Sequence, residues 1–283
     1  MNLKKLLHSV VPEVLQRWYS RYKQRALLGQ VPTASCNPSR LRPASGVEPE
    51  EIFKEAVKSG EWDEVRRSLE PFAIPDGTGG VNRGDRRAIY YLLRHFGPKS
   101  ILEVGTHIGA SSVHVASALG RNETSDGQFK KLVSVDIADV NDPNCKPWLK
   151  AGSTFSPREM IEKLGYDAFV EFETGSSLDH FAGGATYDFI FLDGDHSAKT
   201  VYQEVPAALQ ALNPGGVILL HDYYPDLRPL WPSGAVIQGP FLAIERLKKE
   251  GASLAVVPLG NVPWPTKQGS NTTSLALLLG PDA

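Results

Sequence analysis

The segment from Ser100 to Ser112 constrains the fold of this chain more than any other. An apolar run ends in the turn Glu103-Val-Gly-Thr-His-Ile-Gly109, and an amphipathic stretch follows it directly. Gly105 and Gly109 allow a ligand to approach the backbone, and a helix that starts after them directs free N–H groups towards that ligand. The segment therefore predicts a buried strand, a ligand-binding turn and a helix.

Three later apolar runs also end in acids, at Asp136, Asp193 and Asp222. The alternation of strand and helix patterns predicts the α/β class, with a mostly parallel sheet covered on both faces. The predicted strands are residues 100–104, 131–136, 168–173, 187–192, 216–221, 253–258 and 274–279. Because ligands of such sheets lie beyond the carboxyl ends of the strands, we expect the three acids to face one cleft.

These motifs resemble those of the class I S-adenosylmethionine (SAM) dependent methyltransferases, from about Gly80 to the C-terminus. The matching pieces are Glu103–Gly109, Asp136, Phe191–His196, Leu212–Gly216 and Asp222. The chain looks most like the small-molecule O-methyltransferases related to macrocin and caffeoyl-CoA methylating enzymes. The resemblance implies a doubly wound, mostly parallel seven-stranded sheet, the Rossmann-like methyltransferase fold. It also implies an antiparallel C-terminal hairpin, an N-terminal helical extension, and transfer of a methyl group from SAM to a hydroxyl.

The resemblance also implies which residues bind SAM. Glu103 would lie near the amino acid end of SAM, Asp136 would accept hydrogen bonds from the ribose, and Ser111 and Ser112 would reach the carboxylate. A helix N-cap is the alternative role of Asp136, and a helix start that of the two serines. The full predicted cofactor set is Glu103, Gly105, Gly109, Ser111, Ser112, Asp136, Gly175, Ser176 and Asp193.

The predicted catalytic residues are His196, Asp193 and Asp222. His196 stands three residues beyond Asp193, where the catechol-type methyltransferases carry a lysine that removes the hydroxyl proton. Imidazole, with an unperturbed pKa near ~6.5, suits that task at neutral pH. A helix-capping histidine is the alternative role of His196. His221 is expected to orient its neighbours rather than to act as the base.

A divalent metal is the second predicted feature of this site, with Asp193, Asp222 and His221 as its ligands. Two carboxylates that face one cleft repel each other, and Mg²⁺ or another hard cation relieves the repulsion. The resembling metal-dependent families follow the second acid with Asn or Asp, whereas Tyr223 stands here. The alternative is that Asp222 binds the acceptor directly, without a metal.

Two other functions remain open on the sequence. A NAD-dependent oxidoreductase needs Gly-x-Gly-x-x-Gly with an acid roughly 20 residues on. His107 occupies the place of the second glycine and the interval from Gly105 to Asp136 is longer, so this function is disfavoured. A SAM-binding partner subunit without catalysis is the other alternative. The acceptor is expected to be a small molecule, with a sugar or glycosylated metabolite favoured.

Four aromatic residues follow the predicted strand ends, namely Tyr223, Tyr224, Trp231 and Trp264. They would either stack on a sugar or planar acceptor, or pack within a lid. The two alternatives are left open.

Residues 1–48 read as a basic helical extension and linker, and residues 49–283 as the methyltransferase domain. Within residues 1–30, six lysines and arginines accompany the single acid Glu13, and apolar residues recur at helical spacing. Such a helix either contacts an anionic membrane surface or packs on the domain or on the second subunit of a homodimer.

The overall charge and the cysteines limit the partners and the compartment. Thirty basic and 32 acidic side chains give a net charge of -2, so no global field recruits nucleic acid. Cys36 and Cys145 lie far apart and form neither a metal-ligand spacing nor a disulfide framework, which is typical of a cytoplasmic protein. His8 and Pro12 interrupt the apolar start, so no signal peptide is expected.

Overall fold

The computed structural model describes residues 13–78, 80–122 and 130–281, and a seven-stranded sheet forms its centre. The strands are β1 Ser100–Val104, β2 Lys131–Asp136, β3 Val170–Thr174, β4 Tyr187–Leu192, β5 Leu212–Leu220, β6 Ala255–Pro258 and β7 Ala276–Leu279. Their order is β3-β2-β1-β4-β5-β7-β6, and β7 pairs antiparallel with both β5 and β6. This confirms the predicted doubly wound sheet with its antiparallel C-terminal pair.

Helices cover both faces of the sheet. They are α1 Glu13–Leu28, α2 Pro49–Lys58, α3 Glu61–Leu69, α4 Arg83–Phe96, α5 Ser112–Arg121, α6 Pro147–Lys150, α7 Pro157–Leu164, α8 Ser177–Ala182, α9 Ala198–Gln210 and α10 Gly239–Lys249. Successive strand residues point to opposite faces, so Ile101 packs with α4 and α5 and Leu102 with α9 and α10. Both side chains are fully buried, which explains why consecutive positions of β1 are apolar.

The fifth strand begins earlier than the sequence predicts, at Leu212 instead of residue 216. Leu212 pairs with Tyr187, but the next pair along the ladder is Val217 with Phe189. The Asn213-Pro-Gly-Gly216 segment is therefore an irregularity inside β5, since its extra residues have no partner on β4. Because Asn, Pro and Gly are typical of turns, the sequence pattern does not show that the strand continues on both sides of this segment.

The N-terminal extension lies against α9 and α10. Gln24 of α1 accepts a hydrogen bond from the backbone N–H of Ala198, and Arg246 of α10 donates to the carbonyls of Leu28 and Val31. Leu41 forms an isolated parallel bridge with Gly216 of β5. The boundary at residue 48 remains a prediction.

Some sequence predictions fall outside the described residues. The first half of the predicted amphipathic helix, residues 1–12, is one such segment. Among the described helices, none combines the length and the apolar character needed to cross a bilayer.

Candidate functional site

A cleft of about 450 Å³ opens beyond the carboxyl ends of β1, β2 and β4. Six of the residues predicted from the sequence line it: Gly105, Asp136, Gly175, Ser176, Asp193 and His196. The others lie beside or beneath it: Glu103, Gly109, Ser111, Ser112, His221 and Asp222. The structure thus brings these residues to one cleft and separates those that line it from those that support it.

Gly105 is required by the packing of two strand ends. Its φ of 96° is in the left-handed region, and a Cβ atom there would lie 2.3 Å from the carbonyl oxygen of Asp193. Gly109 has a φ of 73°, and its Cβ would lie 2.9 Å from that of Pro157. The glycines therefore let the turn pack against β4 and α7 as well as leave room for a ligand.

Asp136 fixes the turn from the end of β2. One carboxylate oxygen accepts from the backbone N–H of His107 at 2.9 Å, and the other accepts from that of Ala138 at 3.0 Å. No described helix starts beside it, so the N-cap alternative does not apply. A carboxylate has about four acceptor positions, so Asp136 retains capacity for a ligand at the cleft wall.

Glu103 lies beneath the turn and is fully buried. Its Oε2 accepts from the hydroxyl of Ser112 at 2.5 Å and from that of Ser134 at 2.6 Å, whereas its Oε1 has no hydrogen-bond partner among the described residues. Burial raises the pKa of Glu103 to about 7, although Ser111, Ser112 and Ser134 oppose the shift. The serine hydroxyls thus support Glu103 in the interior.

Two histidines and two aspartates meet at the ends of β4 and β5. His196 Nε2 lies 3.5 Å from Asp222 Oδ2 and 3.8 Å from Asp193 Oδ1. His221 Nδ1 lies 2.6 Å from the same Asp193 oxygen and 3.8 Å from Asp222 Oδ2. The His196 side chain is 28% exposed, whereas the other three are 8–9% exposed. His196 is therefore the member that a substrate can reach.

His196 does not cap the helix that follows it. The N-cap of α9 is Ser197, whose Oγ accepts from the backbone N–H of Thr200. Asp195 also serves this helix start, since it accepts from Ser197 and Thr200. The imidazole of His196 is thus left for the cleft.

Asp85 completes the cluster, and sequence reasoning missed it. Its carboxylate is fully buried, with Oδ2 3.3 Å from His221 Nε2 and 2.6 Å from Asn82 Nδ2. Oδ1 has no partner among the described residues. The Asn82-x-x-Asp85 spacing indicates a helix N-terminus, and Asn82 does cap α4. That local role gave no reason to look for a contact 136 residues away.

The carboxylates around His221 control its charge. Burial alone would lower the pKa of this imidazole, but Asp193, Asp222 and Asp85 together raise it well above its usual value. The nearly buried ring is therefore a cation at neutral pH, and it compensates part of the negative charge of the cluster.

Asp222 is held in a backbone conformation that non-glycine residues rarely adopt. Its φ is 53°, and its Oδ1 accepts a hydrogen bond from the hydroxyl of Ser274 at 3.1 Å. The next residue, Tyr223, donates its backbone N–H to the Ser274 carbonyl at 2.8 Å. Strained residues persist where the surroundings fix them, and they concentrate at functional sites.

The cluster also contains donor atoms suited to a metal. Asp193, His196 and His221 each present one ligand atom, and these atoms lie within 4.8 Å of one another. The set differs from the predicted Asp193, Asp222 and His221, because His196 takes the third place. Two imidazoles and a carboxylate suit a transition metal better than Mg²⁺.

Glu204 is a further acid at the cleft that sequence reasoning missed. It projects from α9, accepts from the Ser177 hydroxyl at 2.6 Å, and is buried, which raises its pKa to about 7. Ile137, which follows Asp136, is 77% exposed beside the same cleft. Ile137 could have been predicted as a cleft residue because it follows Asp136. Glu204 could not, because the helical periodicity around it does not indicate a binding site.

The sequence left two alternative roles for four aromatic residues. All four are buried: Tyr223, Tyr224, Trp231 and Trp264. Tyr224 packs edge-to-face on Trp231, with ring centres 5.8 Å apart, and Trp264 packs in the same manner on Phe53. The indole N–H of Trp264 donates to the carbonyl of Gly84. None of them lines the cleft described above, so at this cleft the packing alternative describes these residues.

Comparisons with known proteins show what this chain is similar to. The family model of a methyltransferase domain matches residues 102–223, which include every sequence-predicted site residue. A putative O-methyltransferase from Klebsiella pneumoniae has a TM-score of 0.52 at 19% identity, over 83% of this chain and 97% of that one. The O-methyltransferase TomG from Streptomyces achromogenes, solved with SAM, has a TM-score of 0.51 at 17% identity, over 83% and 99%.

At such identities the two structures show a shared fold. The comparison with curated proteins gives no significant match. The sheet order, the glycine turn, the acids at the strand ends and the matched domain agree with one another. Residues 102–223 thus match a methyltransferase domain, and the fold is shared with two structures described as O-methyltransferases.

Proposed function

We propose that this enzyme transfers the methyl group of SAM to a hydroxyl of a small molecule. The observation that carries the proposal is the position of His196. Its imidazole is the accessible member of the cluster, it lines the cleft, and Asp193 and Asp222 lie within 4 Å of its Nε2. A partly exposed base beside two carboxylates is suited to hydroxyl deprotonation.

The cleft has the groups that SAM needs. Asp136 would accept from the ribose hydroxyls, and Gly175 and Ser176 would lie against the adenine together with the exposed Ile137. The unpartnered Oε1 of buried Glu103 fits the positively charged amino acid end of SAM, which supports a cofactor role for Glu103 from beneath the turn. The hydroxyls of Ser111 and Ser112 would contribute by holding Glu103 rather than by contacting SAM.

The chemistry assigned to the protein is positioning and proton removal. Bound SAM supplies an electrophilic methyl group, which the acceptor oxygen attacks as the carbon–sulfur bond breaks. His196 takes the hydroxyl proton at Nε2, and the carboxylates of Asp193 and Asp222 stabilise the resulting imidazolium. His221, already protonated and bound between Asp85 and Asp193, keeps Asp193 in place. Orientation of the reacting groups supplies much of the remaining acceleration.

A divalent metal would be held by Asp193 and His221 with His196 or Asp222. It would bind the acceptor oxygens and lower the pKa of the hydroxyl. A ligating imidazole must be neutral, so metal binding would have to displace the proton of His221. Metal use is therefore favoured at higher pH, where that proton is lost more easily.

A sugar or glycosylated metabolite is the acceptor class we favour. The purified enzyme incubated with methyl-labelled SAM and a panel of glycosides, phenols and amines tests this, with mass spectrometry of the products. Label on a glycoside hydroxyl is the expected result. Label on nitrogen would contradict O-methylation. Binding of SAM without any labelled product would favour the non-catalytic partner subunit, and binding of NAD instead of SAM would favour the oxidoreductase.

The exposed face of α1 supports a peripheral membrane contact by a cytoplasmic enzyme. Four apolar and aromatic side chains at helical spacing, each 54–64% exposed, form this face: Leu15, Trp18, Tyr19 and Tyr22. Exposed Lys23 and Arg25 follow them, and the opposite side of α1 contacts the domain through Gln24. Aromatic rings with adjacent cations suit an anionic bilayer surface.

Co-sedimentation with vesicles tests this contact. We expect binding to phosphatidylglycerol vesicles, weaker binding to phosphatidylcholine vesicles, and loss of binding in the Trp18→Ser/Tyr22→Ser variant. Leu149→Ser, which changes an exposed leucine elsewhere, is the control. Equal sedimentation with both vesicle types would contradict the proposal. A dimer by light scattering that the double variant dissolves would assign the face to a homodimer.

A further inference from the structure

A second cavity, of about 410 Å³, lies between α3, the first turns of α4 and the loop that joins β6 to β7. No residue that lines it also lines the cofactor cleft. Trp62 and Trp264 form apolar walls on two sides. The charged residues of the lining are Arg66, Arg83, Arg86, Arg87 and a single acid, Glu70. The cavity is therefore both aromatic and strongly basic.

Three of these arginines already have a carboxylate partner, and Arg66 is one of them, with its Nε 3.8 Å from Asp63 Oδ1. Arg86 Nη2 lies 3.1 Å from Asp76, and Arg83 Nε lies 3.4 Å from the same carboxylate. Arg86 is nearly fully buried and also donates to the carbonyls of Val81 and Pro75. These contacts hold the segment before α4 in place, so the role of Arg86 is to stabilise the fold.

Arg87 differs, because its contacts are with aromatic faces only. The guanidinium carbon lies 4.4 Å from the ring centre of Trp264, 5.3 Å from that of Trp62 and 5.6 Å from that of Tyr91. Its Nε is buried without a hydrogen-bond partner, and no carboxylate of the described residues forms an ion pair with it. Ring faces stabilise the charge but leave the in-plane N–H donors unsatisfied.

We propose that this cavity binds a small organic anion, a carboxylate or phosphate monoester on a planar apolar body, with Arg87 as the partner of the charged group. The aromatic cage fixes the planar fork of Arg87, which matches the oxygens of such an anion in a bidentate manner. Trp62 and Trp264 would flank the apolar body. The cavity volume is within the range of small-molecule sites.

His114, another titratable residue of the lining, adds no charge to the cavity. His114 stacks on Trp62, with ring centres 5.7 Å apart, and burial lowers its pKa to about 3, so it is neutral. Its Nδ1 is occupied by the carbonyl of Ala110. The positive charge available to a ligand therefore comes from Arg87, since Arg66 is paired with Asp63 and both Arg83 and Arg86 with Asp76.

Calorimetric titration of the full chain tests the proposal without any assay of methyl transfer. The probes are benzoate and phenyl phosphate, with benzyl alcohol as a neutral comparison of similar shape. We expect one site for at least one anion and no measurable binding of the alcohol. Arg87→Met should weaken anion binding about tenfold or more, because a charge-assisted hydrogen-bonded pair is lost. The stronger of the two anions identifies the charged group.

Arg228→Met removes an exposed arginine elsewhere and should leave anion binding unchanged. The wild-type comparison of anion with alcohol does not depend on any variant, so a poorly folded Arg87→Met protein would not leave the question open. Three results would overturn the proposal. They are equal binding of anions and alcohol, full affinity in a folded Arg87→Met protein, and displacement of the anion by the demethylated product of SAM.

Discussion

His221 determines the charge of the reactive cluster. It is buried among Asp85, Asp193 and Asp222, which raise its pKa well above the usual value although burial opposes them. A ring that already carries a proton cannot take another. In the proposed mechanism His221 therefore orients Asp193, and His196 is the group that would accept a proton from the substrate.

Replacement of His196 tests this division of roles. His196→Ala should lower turnover by ~100-fold or more, because one proton transfer in the transition state is lost. Affinity for S-adenosylhomocysteine (SAH), the demethylated product, should stay nearly unchanged. His95→Ala, at the exposed end of α4, is the matched control. Equal and small effects on turnover and SAH binding would assign His196 a structural role.

Removal of divalent metal is the second test at this scale. If Asp193 and His221 hold a metal, chelation should abolish turnover, and Mn²⁺ should restore it better than Mg²⁺ does, while SAH affinity is unchanged. Restoration should be more complete at pH 8 than at pH 6, because the metal competes with the proton of His221. Full activity after exhaustive chelation would exclude the metal and leave His196 as an unaided base.

Glu103 should make stability fall as the pH rises. Its pKa is about 7 in the folded chain, against an ordinary value of 4.5, so the folded chain binds more protons than the unfolded chain between these values. Stability is therefore lost as pH rises from roughly 4.5 to 7, by about 3 kcal/mol for this residue. Urea unfolding at pH 5 and pH 8 should show a smaller drop for Glu103→Gln than for the wild type. The exposed control Glu162→Gln should retain the wild-type drop, and identical drops in all three would contradict this role of Glu103.

At the scale of elements, the ends of β1 and β4 position the cleft. They pack closely because Gly105, which follows β1, has no side chain to separate them. Gly105→Ala would place a Cβ against the Asp193 carbonyl at a positive φ. We expect a loss of about 3 kcal/mol of unfolding free energy, from combined strain and overpacking. Gly165 also has a positive φ, of 73°, but open space around it, so Gly165→Ala should cost only about 1–2 kcal/mol. Equal losses in thermal or urea unfolding would show that packing contributes nothing at Gly105.

For the whole molecule, the parallel sheet was predictable because each strand is a short apolar run with its own turn signals. The cleft followed from topology, since Asp136 and Asp193 stand at strand ends that must face the same edge. Local sequence patterns failed to predict the structure where a residue or segment has a second role that depends on distant contacts. Asp85 resembles a helix-start acid, and Asn213–Gly216 resembles a loop although it interrupts a strand.

Burial was the property that the sequence predicted least well. Tyr224, Trp231 and Trp264 stand in Pro- and Gly-rich segments that are typical of exposed loops, yet each ring is packed. Whether such a ring faces solvent depends on contacts with distant elements, such as that of Trp264 with Gly84 of α4. The same long-range packing created the cavity around Arg87, which no local pattern indicates.

The most direct test of the central claim is a calorimetric titration of the full chain with SAH. We expect one site per chain and, for Asp136→Ala, affinity at least about tenfold weaker, because the ribose acceptor and the anchor of the His107 turn are lost together. Asp139→Ala, an exposed acid three residues further on, should bind as the wild type does. No heat with SAH for the wild-type chain, or full affinity in a folded Asp136→Ala protein, would contradict the proposed SAM site.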